Sequence, residues 1–330
     1  MTPDEILTAI RDIIQEDVGG RGLRTDPADN LITACAGDFA AACRSIAETP
    51  RAAIAVVTGF IIPTAEPPTG ETDGPLGAVF LARALAPIGI PVVLLSDPFA
   101  LPALRAGLAA CRMRDMVPVA EIPQQVSATR MMRDLPVTHL IALERVGPSH
   151  TLESVRPEEA EQFNCEVLAE QHDRCHTMRG RDVTDLMRPA HRLFERGAAS
   201  PVTIGIGDGG NEIGMGKIPW ATIRRNVPDG GLTACRVATD HLIVCGVSNW
   251  GAYALAAGVR LLRGASHDPS LFDGERERDI LRIMVEQGPL VDGKTGERTV
   301  SVDGLAFERY AGPLRRIGEG MANDIGGPES

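Results

Sequence analysis

Lysine is nearly missing from this 330-residue chain: of 33 basic residues only Lys217 and Lys294 are lysines, and the rest are arginine. Lys217 therefore stands out, because it closes the most unusual loop of the sequence. Aromatic residues make up 4%, so a core must rest on Ala, Val, Leu and Ile. Basic residues fall short of acidic ones, leaving a net charge of −11. That argues against a nucleic-acid binder, which needs a basic surface to neutralise phosphates. Small anionic substrates stay open, since a local site can oppose the global sign. No apolar run approaches the roughly 20 residues that span a bilayer, so no membrane partner is expected. The seven cysteines form no C-x-x-C pair and are odd in number. With an acidic, amphipathic N-terminus where a signal peptide would be basic and apolar, they read as reduced thiols in a cytoplasmic protein. Oligomeric state is not written in the sequence, and a homodimer is left open.

What is present is a strand–loop–helix rhythm. Thr2-Pro3-Asp4 starts a helix by cap, proline and first-turn acid, with Ile6, Leu7, Ile10, Ile13 and Ile14 at helical spacing. A second helix is expected over about Asp38 to Ala47. From residue 52, apolar runs alternate with helices: 53–57, 92–95, 117–120, 139–143, 202–206 and 242–245 as strands. Continuous apolar strands between helices predict an α/β fold, a mostly parallel sheet with helices on both faces. Asp97-Pro98 is expected to cap a helix, Leu186 to Glu195 to be helical, and Ser248-Asn249 to cap the helix of 250–262. The organisation is a helical N-terminal segment (1–50), an α/β domain (51–320) with a charged insertion or lid (147–182), and a disordered tail (321–330).

Three loops at expected strand C-ends carry chemistry. The first is Ile204-Gly-Ile-Gly-Asp-Gly-Gly-Asn-Glu-Ile-Gly-Met-Gly-Lys217. Asp208, Asn211 and Glu212 are hard oxygen ligands of the kind that hold Mg²⁺, Mn²⁺ or Ca²⁺. Gly205-x-Gly207-x-x-Gly210 matches the dinucleotide pattern, but Asp208 and Glu212 would repel a pyrophosphate. A phosphate-binding loop fails too, because Ile218 follows Lys217. The second loop is Thr69-Gly-Glu-Thr-Asp-Gly-Pro-Leu-Gly-Ala78. Here Glu71 and Asp73 accept, Thr69 and Thr72 can donate, and the helix starting at Pro75 has free N–H groups for an anion; a plain helix cap is the alternative. The third is Glu144-Arg145-Val-Gly147, a reaching carboxylate or a surface ion pair. Gly246-Val-Ser-Asn-Trp-Gly-Ala-Tyr253 is a strand-to-helix elbow without the G-x-S-x-G of a hydrolase nucleophile, and its Ser248 and Asn249 either cap the helix or meet a ligand. His172-Asp-Arg-Cys175-His176 supplies too few ligands for a zinc finger and reads as a solvated loop or as a lid offering His176 or Arg179.

In this order, Thr58-Gly59-Phe60, Glu71-Thr-Asp-Gly-Pro-Leu-Gly-Ala78, Glu144-Arg145-x-Gly147, Met178-Arg179-Gly180, the 204–217 loop and Gly246-Val-Ser-Asn-Trp-Gly251 resemble the D-glutamate cyclase-like family, from about residue 52 to 305. The resemblance implies an α/β fold, a divalent metal (Mn²⁺ or Mg²⁺), and conversion of D-glutamate to 5-oxo-D-proline with loss of water. It places Asp73, Glu144, Asp208, Asn211 and Glu212 on family motif positions as metal ligands. One passage departs: Gly147 runs into Pro-Ser-His-Thr and about thirty further residues before Met178, and Thr177 stands where the family has asparagine. A remodelled lid is where substrate choice changes.

The expected chemistry is lactam closure of a small amino-dicarboxylate. Asp208 or Glu212 would be the base, Lys217 or Arg179 the holder of the remote carboxylate, and Thr69, Thr72, Gly74, Ser248 and Asn249 further substrate contacts. A metal-dependent phosphoesterase and a non-catalytic ligand sensor are the alternatives, since acid clusters at a parallel sheet's edge serve all three.

Overall fold

Short runs rich in Val, Ile and Leu become strands because branched side chains fit a pleated, buried surface. The computed structural model describes residues 1–125, 137–195 and 201–325. Its strands are β1 (Ile54–Thr58), β2 (Ile61–Ile62), β3 (Thr69–Gly70), β4 (Val92–Ser96), β5 (Val119–Glu121), β6 (His139–Leu143), β7 (Val202–Gly207), β8 (His241–Val244), β9 (Ser301–Val302) and β10 (Leu305–Ala306). Six of them form one sheet in the order β5-β4-β1-β6-β7-β8, every neighbour parallel. β2–β3 and β9–β10 are small antiparallel hairpins.

Alternation along each strand divides the core in two. Ile54, Val56, Leu94, Ile141 and Ile206 face one side, and Ala55, Val57, Leu95, Leu140 and Val244 the other. The first side is covered by α1 (Pro3–Ile14), α2 (Asp38–Glu48), α3 (Pro75–Leu85), α4 (Leu101–Ala110), α8 (Ser248–Leu262), α9 (Gly274–Gln287) and α11 (Gly312–Ile325). The second carries shorter pieces: α5 (Ala160–Glu166), α6 (Trp220–Asn226), α7 (Gly230–Thr233) and 3-10 turns. α10 (Phe307–Tyr310) joins the last hairpin to α11. The protein is thus an α/β fold with a parallel sheet covered on both faces. None of the seven cysteines is in a disulfide. Among the described residues, no helix is long and apolar enough to cross a membrane.

The N-terminal segment is part of this core. Thr2 and Glu5 cap α1 reciprocally, and Ile6, Leu7, Ile10 and Ile14 are buried in the same cluster as the sheet. Other local expectations change. Leu186–Glu195 forms 3-10 turns (Thr184–Leu186, Ala190–Leu193) rather than an α-helix, because Pro189 interrupts it. α4 starts only at Leu101, and Asp97 pairs with Arg145 instead of capping it. α8 already includes Ser248 and Asn249, so they are first-turn residues and not caps. Residues 321–325 belong to α11, and the rest of the expected disordered tail, 326–330, lies outside the described residues.

Parallel strands place all their C-ends on one edge. From β1 the chain steps outward to β4 and β5, then returns to the other side of β1 through β6, β7 and β8. The order reverses between β1 and β6, and a crevice opens at such a reversal. Gly59, Glu144 and Asp208 each follow one of these C-ends.

Candidate metal centre

The loop after β7 is shaped by Glu212. Its Oε1 accepts from Asp208 N (2.8 Å) and Gly209 N (2.7 Å), and its Oε2 from Gly210 N (2.8 Å). The carboxylate thereby folds the glycines around itself and presents Asp208. After β6, Glu144 has φ +44°, a left-handed conformation that is unusual for glutamate and that concentrates at functional sites. Its Oε2 accepts from Ser248 Oγ at 2.5 Å. Asp73 caps the start of α8, accepting from Ser248 N (2.9 Å) and Asn249 N (2.8 Å). Gly74, at φ +88°, lets the chain turn there; a Cβ on it would lie 2.6 Å from Thr58 Oγ1 and 2.8 Å from Glu144 Cβ.

These acids meet. Oxygens of Asp73, Asp208 and Asp303 lie within 4.8 Å of one another, and so do those of Glu144, Asp208 and Glu212. All five residues are at most 7% exposed. Asp208 is common to both groups. A cavity of about 290 Å³ opens above them, lined by Glu71, Glu144, Asp208, Asn211 and Asp303 in its depth, by Phe60, Ile62 and Met178 on its walls, and by Arg179, Arg181 and Lys294.

Two residues that the motifs do not mark complete the floor. Arg21, from the Gly19-Gly-Arg-Gly22 turn after α1, pairs with Asp208 and, at 2.9 Å, with Asp303. The Asp17 carboxylate fixes that turn by accepting from Arg21 N, Gly22 N and Leu23 N. Asp303 sits at φ +56° in Val302-Asp-Gly304, the second of two Val-Asp-Gly turns, the first being Val291-Asp-Gly293. The first such turn is held by Asp292, whose carboxylate accepts from Lys294 N, Thr295 N and Gly304 N. Gly293 in it must lack a side chain, since a Cβ would lie 1.7 Å from Glu71 Oε2. The only hint of these groups in the sequence is the repeated Val-Asp-Gly.

Burial governs the electrostatics. It raises the Asp208 carboxyl to about 7, against the lowering pull of Arg21, with Glu212 adding to the rise. Asp303 is raised to about 6 by burial, again opposed by Arg21. Glu71, Asp73 and Glu144 are pushed well above their ordinary range by burial first and by neighbouring carboxylates second. Arg21 is held charged: burial would lower it, but Asp208, Asp303, Glu144 and Asp73 raise it further.

Several of the expected substrate contacts have partners within the fold. Lys217 turns away from the cavity to pair with Asp38 and to donate to Asp240 O at 2.7 Å. Thr69 Oγ1 donates to Pro289 O and Thr72 Oγ1 to Ser301 O, both at 2.9 Å, which docks the C-terminal turns onto this loop. The start of α3 is not a free anion cradle: Asn249 Oδ1 accepts from Gly74 N (2.9 Å) and Gly77 N (2.7 Å). Ser248 and Asn249 thus serve Asp73, Glu144 and Gly74. Asn211 does line the cavity, its Nδ2 anchored on His176 O at 2.8 Å. Arg179 lies exposed at the opening. Both oxygens of Glu212 are engaged by backbone donors of its own loop.

A family model described as "D-glutamate cyclase-like, C-terminal" matches residues 10–318. The chain belongs to the D-glutamate cyclase-like family. The match begins within α1 and takes in Arg21 as well as the motif loops. The human protein named "D-glutamate cyclase, mitochondrial" is 29% identical over 288 residues, covering 77% of this chain and 43% of that protein. The chain therefore spans less than half the length of this relative.

Proposed function

We propose that this protein is a divalent-metal-dependent hydro-lyase that closes D-glutamate, or a related small amino-dicarboxylate, into a 5-oxoproline-type lactam. The observation that carries the reading is the convergence of Asp73, Glu144, Asp208, Glu212 and Asp303 on one buried floor. The donor set suits a hard cation, because it consists of carboxylate oxygens, and Asp303 Oδ2 is buried without a hydrogen-bond partner. Asp73, Glu144, Asp208 and Asp303 would hold Mn²⁺ or Mg²⁺, with Asn211 beside them and Glu212 shaping the loop. When bound, such an ion polarises a carboxylate that is otherwise a poor electrophile and stabilises the charge of its tetrahedral adduct.

The chain's own groups supply the rest. An ammonium must lose a proton before it can attack, and whichever of Asp208 and Asp303 is not taken up by the metal is the group to accept it. Arg21 keeps part of the floor ionised by pairing with both. Phe60, Ile62 and Met178 give the cavity apolar walls that limit water around the reacting pair. Arg179 at the opening is the group to hold the carboxylate that does not react. Reduced cysteines fit a cytoplasmic setting for this chemistry.

The test is to strip the protein with chelator, restore Mn²⁺ or Mg²⁺, and follow 5-oxoproline from each glutamate enantiomer. Metal-dependent product from D-glutamate is expected. Turnover of phosphoesters under the same conditions, or ligand-induced thermal stabilisation without any product, would replace this reading by the phosphoesterase or the sensor.

A further inference from the structure

The cavity lining combines buried acids, with Arg21 paired among them, and exposed cations. Glu71, Glu144, Asp208 and Asp303 are at its floor, each at most 7% exposed. Arg179, Arg181 and Lys294 are exposed residues of the same lining. These three carry no side-chain ion pair or hydrogen bond among the described residues. They come from two separate turns, each with a fixed backbone. One is closed by the His176–Asp182 bridge and the Thr177 N to Arg181 O hydrogen bond (2.9 Å). The other is gathered by Asp292. Three exposed cations thus line one cavity of a protein whose net charge is −11.

This inference rests on the cyclisation reading. Closing a five-membered lactam joins the amine to the side-chain carboxyl, and the α-carboxyl stays outside the ring. The amine and the side-chain carboxyl belong at the acid floor. The α-carboxyl then faces the opening, where a linked residue runs toward solvent and not into a wall. One carboxylate needs one cation, and the opening has three.

We propose that the site takes glutamyl peptides extended through the α-carboxyl by an acidic residue, and closes their N-terminal glutamyl unit. The N-terminal nitrogen forms a C–N bond with the side-chain carboxyl carbon. The C–O bond breaks, and that oxygen leaves as water with two ammonium protons. No electrons are exchanged, and no co-reactant is consumed.

The experiment compares, with Mn²⁺ and by mass spectrometric loss of one water, D-glutamate α-amide, D-glutamate, α-D-glutamyl-alanine and α-D-glutamyl-aspartate, together with their L-glutamyl counterparts. Beyond the reacting ends these carry no charge, one, one displaced outward, and two. The expected result is a kcat/KM for glutamyl-aspartate about tenfold above that of free glutamate, the scale of one charge-assisted hydrogen bond. In the double variant Arg181→Gln, Lys294→Gln the ratio between these two substrates falls toward unity. Turnover of free glutamate with slower or absent turnover of both peptides overturns the proposal and leaves the cyclase reading standing. Loss of water from none of them overturns both. A ratio unchanged in the double variant also overturns it, because the extension would then be recognised elsewhere.

Discussion

Both oxygens of Glu212 accept from backbone N–H groups of its own loop, whereas Asp208 faces Arg21 and other carboxylates. The two residues should therefore respond differently to the same change. Glu212→Gln replaces an acceptor by a donor against buried N–H groups, which costs about 1–3 kcal/mol. A melting temperature several degrees lower is expected. Asp208→Asn removes a carboxylate that burial already disfavours in its charged form. The metal-free melting temperature should hold or rise, while lactam formation falls by roughly 100-fold or more. Calorimetry and product assay on the two variants separate the roles. Asp208, Glu144 and Asp73 are legible in the sequence because each lies in a glycine- or proline-marked loop after an apolar run. Arg21 and Asp303 are not, since nothing local says that residues 21, 208 and 303 will meet. Rarity misdirects attention to Lys217, which neutralises Asp38, while the other lysine, Lys294, lines the cavity.

At the scale of elements, the strand ends are tied together beneath the site by a fully buried arginine. Arg145 donates to Gly59 O after β1 (2.9 Å) and to Arg188 O (2.6 Å), and pairs with Asp97 after β4. Asp97 in turn accepts from Arg188 N. The network holds Arg188, just before the 3-10 turn Ala190–Leu193, against the sheet edge. Arg145→Met leaves the buried Asp97 carboxylate without its counter-charge, with only Arg188 N still donating to it, at about 3–5 kcal/mol. Arg145→Lys should not restore stability, because one ammonium cannot reach a fork of three acceptors. Chemical denaturation of both variants reads this directly. Strands and helices alike were legible wherever apolar spacing was strong. Two of the failures share a cause: Asp97 before Pro98, and Ser248-Asn249 before Trp250, have the composition of helix caps, but long-range partners claim their polar groups. In the sequence Glu144-Arg145 is as easily a surface pair as a site carboxylate beside a structural bolt, and only burial decides.

For the whole molecule, acid should act through buried histidine. His139 is fully buried between Ser45 and Thr138, and burial lowers it to about 4 from an ordinary 6.5. Between those values the folded state binds fewer protons than the unfolded one. Its contribution is complete above pH 6.5 and is lost as pH falls toward 4. His139→Asn removes that loss, so the variant should gain melting temperature relative to the parent protein on going from pH 7 to pH 5. A constant difference would show that the histidine is not desolvated. The acid floor works the other way round with a cation: protons compete for raised carboxyls, so stabilisation by Mn²⁺ should be larger at pH 8 than at pH 5.5. Thermal melts with and without chelator at the two pH values measure it. The Arg21–Asp303 contact joins positions near the opposite ends of these 330 residues. A polypeptide still being translated, or clipped in the middle, can carry every glycine of the central loop and still lack the pocket. The turns that carry residues 21 and 303 must find each other before the floor around Asp208 is closed.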